Sequence, residues 1–188
     1  DMDKRNISES DSKIEIIAES SNGLRFELIE QIGLLDSIQI IDLCKELHAF
    51  YGENALIDKN NIKKYFNRKT FPFVARLNNK IIGFIIGVPL EIFSNESWSQ
   101  CDTNLGKKNT IYTYMFLVSS KYHKKFGYSK LLKMIYINWC KKQNFKFVTG
   151  HVKSGIAKKF SKDTIIIKIF PKWHDSKFSF EYYRRPLK

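Results

Sequence analysis

The chain has 188 residues, 43% hydrophobic and 27% charged, which fits a single folded domain with its own core. The longest apolar run, residues 81–90, falls well short of the roughly 18 residues that span a bilayer, so we predict no membrane segment. The three cysteines, Cys44, Cys101 and Cys140, lack a CxxC pair and a histidine at ligand spacing. We therefore expect reduced thiols and no metal site and, because the first residues lack an apolar leader, a cytoplasmic protein.

The net charge of +13 is unevenly distributed along the chain. Residues 1–120 hold 14 Lys and Arg against 16 Asp and Glu, whereas residues 121–188 hold 18 against 3. Such a basic half suits a nucleic acid or a ligand rich in phosphate, although many lysines in a lysine-rich chain only solvate the surface. The charge predicts an anionic partner and does not decide which.

Hydrophobic periodicity predicts a mixed order of strands and helices. The first half predicts a ragged strand that could be absent, a strand, an amphipathic helix, a weaker helix and a hairpin, at residues 13–18, 24–29, 36–51, 59–66, and 71–76 with 80–93. Asp36 or Ser37 is available to cap the first helix. The second half predicts a long polar connection, a strand, a helix, a strand, a short helix and two strands, at residues 94–110, 111–118, 130–142, 145–152, 154–161, 164–170 and 177–184.

The turn between the strand at 111–118 and the helix at 130–142 carries the strongest functional signal. A strand that runs through a short loop into a helix leaves the first helical N–H groups unpaired at the positive end of the helix dipole. From Lys121 to Lys133 there are five lysines and no carboxylate, which reinforces that field. The turn therefore predicts a phosphate-binding site.

This order of elements, with its basic turn before the central helix, resembles the GNAT superfamily of acyl-CoA-dependent N-acetyltransferases over residues 24–187. In that family a loop of pattern Arg/Gln-x-x-Gly-x-Gly/Ala binds the pyrophosphate. A gap-free alignment would start the loop at His123 and would place Phe126 and Tyr128 where glycines stand. We prefer the register shifted by one residue, Lys124-Lys125-Phe126-Gly127-Tyr128-Ser129, because Gly127 permits close approach of a phosphate.

The resemblance implies an α/β (α+β) fold: a mixed, mostly antiparallel central sheet, flanked by about four helices, whose fourth and fifth strands splay apart. We assign residues 1–23 to an N-terminal extension that could add one strand, and residues 24–188 to one acyltransferase domain. Acetyl-CoA is the implied co-substrate, and its acetyl group would pass to a primary amine by direct attack in a ternary complex. The implied coenzyme-binding residues are Phe116, Leu117, Val118, Lys124, Lys125, Phe126, Gly127, Tyr128, Ser129, Lys130, Ser154 and Ala157.

Direct attack needs proton transfer rather than a nucleophilic side chain. The candidate proton handlers are His151, Tyr114, Tyr112 and Glu91, and we favour His151 or Tyr114, relaying the proton through water. Tyrosines that alternate on a strand also suit packing, and a structural histidine is as good a reading of His151. The family often places a tyrosine, the acid for the leaving thiolate, four residues after an alanine that matches Ala157; this chain has Ser161 there.

Two other functions fit the sequence. The absent tyrosine favours a domain that binds acyl-CoA without turnover, as a sensor. The basic half and its aromatic residues favour a nucleic-acid-binding protein, although no known nucleic-acid motif is present, so we expect no nucleic-acid partner. The acceptor is an unidentified amine; the acids Glu53, Asp58, Glu96 and Asp102 only weakly favour a cationic one. We expect a monomer or a homodimer without a membrane partner.

Overall fold

A computed structural model describes residues 11–47, 57–122 and 127–188. In these ranges eight strands form one sheet in the order β1-β2-β3-β4-β5-β6-β8-β7. The strands are β1 Lys13–Glu19, β2 Leu24–Gln31, β3 Phe71–Leu77, β4 Lys80–Pro89, β5 Thr110–Val118, β6 Phe147–Lys153, β7 Ile165–Phe170 and β8 Phe180–Pro186. The strand predicted at residues 13–18 is therefore present and pairs with β2.

Three α-helices lie in the described ranges: α1 Leu34–Cys44, α2 Ile62–Tyr65 and α3 Tyr128–Lys142. Short 3-10 turns occupy Lys45–Leu47, Leu90–Phe93, Ser97–Cys101 and Ala157–Lys159. The last of these is all that forms of the helix predicted at residues 154–161. None of the helices in this part of the chain has the length and apolarity to cross a bilayer.

All strand pairs are antiparallel except β5 and β6, which are parallel and are joined by α3. A parallel pair needs such a crossover, because the chain must return to the end of the sheet where the first strand began, and a tight turn is too short to do so. The sheet separates two cores. Ile40 and Cys44 of α1 are buried in the first, and Leu132, Tyr136 and Cys140 of α3 are buried in the second. The predicted mixed, mostly antiparallel sheet is confirmed.

The hairpin of β3 and β4 turns through Asn78 and Asn79, both at positive φ, 48° and 69°. Two consecutive residues with positive φ make the tight turn that matches the twist of paired strands, and asparagine tolerates this conformation better than most residues. The second strand ends at Pro89, earlier than predicted, because residues 90–93 turn into a 3-10 helix.

Helix α1 begins two to three residues before the predicted caps. Gly33 is the N-cap, and Asp36 lies within the first turn, where both its oxygens accept hydrogen bonds from Arg76 at 3.0 and 2.9 Å. Ser37 donates to the Gly33 carbonyl at 2.8 Å. The prediction that Asp36 or Ser37 caps the helix was wrong, because the arginine of a neighbouring strand gives Asp36 a charged partner. Residues 48–51 of the predicted helix lie outside the described residues.

Two carboxylates hold the polar connection between β4 and β5: Asp102 ties it to β8, and Glu91 ties two parts of the connection to each other. Buried Asp102 accepts hydrogen bonds from Tyr182 at 2.6 Å and from Arg184 at 2.7 Å. Glu91 accepts one from the backbone N–H of Gly106 at 2.9 Å. These contacts place Trp98, which lies on this connection, against Tyr112 of β5 and His151 of β6.

Candidate active site

Strands β5 and β6 diverge half-way along their length. Their ladder runs from Thr110 opposite Phe147 to Thr113 opposite Gly150, and there it stops. Beyond that point β5 continues to Val118 along β4, and β6 continues to Lys153 along β8. The sheet therefore opens into a gap on one side of β5. Strands β5 and β6 correspond to the fourth and fifth strands of the GNAT fold, which were expected to splay apart.

A β-bulge lies where the gap opens. Thr113 pairs with Gly87 and Met115 pairs with Ile86, so Tyr114 has no ladder partner on β4. A bulge bends its strand and re-aims the side chain of the extra residue. Tyr114 also follows the last pair with β6, so the backbone of residues 114–118 has no strand on its gap side among the described residues.

The closed end of the gap is packed too tightly for side chains. A Cβ atom at Gly87 would lie 2.8 Å from the Tyr136 ring, and one at Gly150 would lie 3.1 Å from the Tyr183 hydroxyl and 3.2 Å from the Thr113 carbonyl. The Tyr136 hydroxyl, fully buried, is hydrogen-bonded to the Thr113 side chain at 2.9 Å. Glycine at position 150 lets β6 approach β5 closely here, and glycine at position 87 of β4 leaves room for the Tyr136 ring.

A cavity of about 400 Å³ fills the gap and reaches both faces of the sheet. On the α3 face it is lined by Lys133, Ile156 and Phe160. On the α1 face it is lined by Tyr114, His151, Trp173, His174 and Leu47. Among the described residues of the lining there is no aspartate or glutamate. The cavity is thus a passage through the sheet with a strongly aromatic opening on the α1 face.

The N-terminus of α3 offers the features of an anion site. Its N-cap, Gly127, is exposed at φ +70°, and no side chain among the described residues caps the helix. A Cβ atom at Gly127 would meet no atom of the described residues within 4 Å. The Ser129 hydroxyl is buried and has no hydrogen-bond partner among the described residues. The N–H groups of a first helical turn, the buried Ser129 hydroxyl and exposed Lys130 fit a phosphate group.

His151 lies in an aromatic enclosure at the α1 opening. Its Nδ1 is 2.7 Å from the Tyr112 hydroxyl, and its ring stacks on Trp173 with centroids 3.5 Å apart and planes 13° apart. Its Nε2 is buried without a hydrogen-bond partner in the described structure. Burial, and then the nearby charge of His174, lower the pKa of His151 to about 3. The imidazole is therefore neutral at neutral pH.

Tyr114 stacks on Tyr65 of α2, with ring centroids 4.1 Å apart and planes 14° apart. Burial, followed by the hydrogen bond to Tyr65, raises the pKa of Tyr114 well above its usual range. Its phenol consequently stays protonated, so that it can donate a hydrogen bond and cannot serve as a base.

Lys133 was not singled out from the sequence. Its Nζ lies 3.3 Å from the centroid of the Phe160 ring, at the α3 opening of the cavity. Burial, and then the charge of Arg185, lower the pKa of Lys133 to about 8. The available signal was its position three residues before buried Tyr136, which places it beside the apolar stripe of a lysine-rich helix.

The other predicted residues lie in varied places. Phe116 lines the cavity, whereas Leu117 and Val118 are buried in the cores on opposite faces of the sheet. Tyr112 lines it, and Glu91 does not. The predicted Lys124, Lys125 and Phe126 lie outside the described residues.

The turn after β6 is held in place by hydrogen bonds to Glu181 of β8 and to Ser179 just before that strand. The backbone N–H groups of Gly155 and Ala157 donate to buried Glu181 at 3.1 and 3.0 Å, and the Ser154 hydroxyl bonds to that of Ser179 at 2.8 Å. Neither Ser154 nor Ala157 lines the cavity, although Ile156 between them does. These contacts fix the turn beside the α3 opening.

No protein-family model matches the sequence, and the search of curated proteins found no match. Solved structures do match. A probable acetyltransferase from Staphylococcus epidermidis ATCC 12228 superposes with a TM-score of 0.63 at 14% identity, over 88% of this chain and 99% of that one. The ribosomal-protein-S18-alanine N-acetyltransferase from Escherichia coli gives 0.61 at 14% identity, over 88% and 94%. This chain has the GNAT fold.

A third match bears directly on that assignment. An acetyltransferase of GNAT family from Staphylococcus aureus Mu50 has a TM-score of 0.56 at 19% identity, over 88% of this chain and 99% of that one. At such identities the likeness is one of fold. The GNAT fold expected from the sequence is confirmed, and what the site does has to be argued from its own residues.

Proposed function

We propose that this protein is an acyl-CoA-dependent N-acetyltransferase that moves an acetyl group from acetyl-CoA to a primary amine by direct attack in a ternary complex. The observation that carries the proposal is the gap between β5 and β6. It supplies a passage through the sheet and a backbone edge along residues 114–118 that no described strand pairs, and the start of α3 adds a hydroxyl without a partner in the described ranges. The GNAT fold supports the same conclusion.

The residues present fit acetyl-CoA, which supplies an activated acyl thioester. The N–H groups at the start of α3, the Ser129 hydroxyl and Lys130 would hold phosphate oxygens. The free edge of Tyr114–Val118 would pair with amide groups of the extended arm, as an added strand pairs with a sheet edge. Lys124, Lys125 and Phe126 remain predicted contributors from the preceding turn.

Transfer forms a carbon–nitrogen bond and breaks a carbon–sulfur bond, so the amine must lose one proton and the sulfur must gain one. We assign the second task to Lys133, which lines the cavity at the α3 opening. The hydroxyl of Ser161 is unsuited to it, since Ser161 does not line the cavity and bonds to Thr164 at 2.9 Å. A lysine with a pKa of about 8 is close in acidity to a thiol, whose usual pKa is about 8.5.

The amine proton leaves on the α1 face. Because its pKa is lowered to about 3, His151 holds little of that proton at neutral pH. Its unpartnered Nε2 would instead hydrogen-bond the amine or a water that carries the proton outward. Tyr114, which remains protonated, would orient the same groups as a donor.

The test combines thiol release with binding. The protein is mixed with acetyl-CoA and a panel of amines, free thiol is measured, and the product is weighed by mass spectrometry. Acetyl-CoA-dependent formation of an N-acetyl product supports the proposal. Calorimetry with acetyl-CoA and with an oligonucleotide, at two salt concentrations, covers the alternatives. Tight acetyl-CoA binding without any product indicates a sensor, which the bonded hydroxyl of Ser161 favours, and salt-dependent oligonucleotide binding alone indicates a nucleic-acid-binding protein.

A further inference from the structure

We propose that the acceptor is a primary amine carried on an aromatic or apolar framework without a second positive charge. The inference rests on the proposed acetyltransferase function and concerns the opening of the cavity on the α1 face. Three features support it: the ring-lined wall of that opening, the lack of carboxylates in the described part of the lining, and the positive charge of the cavity lining.

The wall of the opening is built from rings that support one another. Tyr114 rests on Tyr65, and His151 rests on Trp173. The ring of Trp98 also packs against that of His151, with ring centroids 4.9 Å apart. Rings held in this way keep their shape, and an apolar or aromatic substituent that covers them gains free energy from its removal from water.

Two buried carboxylates of neighbouring elements are already engaged. Asp102 is buried between Tyr182 and Arg184, and Glu181 accepts from two backbone N–H groups. None of the described lining residues is acidic, whereas Lys133 and Lys153 both line the cavity. A second ammonium group, as in a polyamine, would lose water here and find no counter-charge among the described residues.

The same charges help a monoamine react. Only the neutral amine can attack, and nearby cations lower the pKa of an ammonium group that enters the site. An amine with a single nitrogen therefore gains nucleophilicity from surroundings that would repel a dication.

The first experiment compares kcat/KM for 2-phenylethylamine, hexylamine and spermidine with saturating acetyl-CoA. We expect 2-phenylethylamine to exceed spermidine by at least about tenfold, which corresponds to about 1.4 kcal/mol. A preference for spermidine overturns the inference. If no amine is acetylated, or acetyl-CoA does not bind in calorimetry, the proposed function itself fails, so the two failures are distinguishable.

Two variant pairs test the wall and the charge separately. Trp173→Ala should lower kcat/KM for 2-phenylethylamine about fivefold more than that for ethylamine, an effect of the size expected for one aromatic contact. Phe178→Ala is the control, since Phe178 is exposed on the same connection and does not line the cavity. Equal losses for both amines, or for both variants, contradict the assigned wall.

Lys153→Glu should raise kcat/KM for spermidine relative to 2-phenylethylamine by about fivefold, because it puts a carboxylate on the lining. Lys158→Glu makes the same change in net charge at an exposed residue outside the lining and should leave the ratio unchanged. A ratio that moves equally in both variants shows that overall charge, and not this opening, selects the amine, and overturns the inference.

Discussion

Two groups of buried polar side chains in this protein are satisfied to very different degrees. Around Arg76, the fully buried Glu27 pairs with Arg25 and Arg76, and Asp36 pairs with Arg76 through both oxygens and with Ser12 at 2.7 Å. By contrast, His151 Nε2 at the cavity and Ser129 Oγ at the start of α3 have no partner among the described residues.

The difference between paired and unpartnered polar groups indicates which of them stabilise the fold and which serve a ligand. Buried charges normally occur only when paired, and the Arg76 cluster obeys that rule completely. A buried polar atom without a partner costs free energy, and a ligand that spans the cavity and the start of α3 would give both atoms a partner. The Arg76 cluster should therefore matter for folding, and the gap for binding and transfer.

The largest effect should come from Glu27→Ala. Removing this carboxylate leaves two arginines without their buried partner, and we expect a loss of about 3 to 5 kcal/mol in the free energy of unfolding, measured with urea. Glu30→Ala is the control, because Glu30 is partly exposed and its ion pair with Arg68 is long, at 3.9 Å. This substitution should cost under about 1 kcal/mol in the free energy of unfolding. Similar losses in the two variants would contradict the role given to the cluster.

The next effect concerns Lys133. We expect Lys133→Met to lower kcat about 100-fold, within the usual range for a general acid, with little change in KM for acetyl-CoA. Lys141→Met, an exposed lysine at the other end of α3, should behave as the unchanged protein.

The pH dependence of Lys133 adds a readout that a structural role would not give. Only the protonated amine can act as an acid, so kcat should fall as the pH rises through about 8. Lys133→Arg keeps the charge and moves this decline beyond the measurable range, because arginine stays protonated. An unchanged decline in Lys133→Arg would assign it to another group.

A smaller effect concerns stability at low pH. The folded-state pKa of His151, about 3, lies below the unfolded value of about 6.5. The unfolded chain thus binds more protons between these values, so the stability that His151 contributes is present above about pH 6.5 and is lost as the pH falls toward 3. We expect His151→Gln to reduce this loss by about 2 kcal/mol, whereas His174→Gln, at an exposed residue, should not. Parallel curves for His151→Gln and the unchanged protein would refute this.

The smallest effect is expected at Ser129. Ser129→Ala removes a hydroxyl that has no partner in the described structure, so the free energy of unfolding should stay the same or rise slightly. The dissociation constant for acetyl-CoA should rise about fivefold, the worth of one hydrogen bond. Ser161→Ala should leave that constant unchanged, since its hydroxyl bonds to Thr164. A destabilised Ser129→Ala with normal binding would place the hydroxyl in the fold instead of the site.

Much of this architecture could be predicted from the sequence because it depends on local patterns. The order of strands, the turn at Asn78 and Asn79, and the basic turn before α3 are read from periodicity and turn residues. The start of α1 could not be read, because Arg76, 40 residues away in sequence, draws Asp36 away from a capping role.

The site was predictable only in part for the same reason. His151 and Tyr114, the two proton handlers favoured from the sequence, both line the cavity. Their altered pKa values arise first from burial, and then from His174 in the case of His151 and from Tyr65 in the case of Tyr114, contacts that only the fold creates. Lys133 looks like any other lysine until Phe160 is placed against it.

The most direct test of the central claim is hydrogen exchange of backbone amides with and without acetyl-CoA. The account predicts slower exchange at two segments, Tyr114–Val118 of β5 and the first turn of α3, and unchanged exchange in β2 around Glu27. Protection confined to other segments, or none at saturating acetyl-CoA, would contradict binding in the gap between β5 and β6.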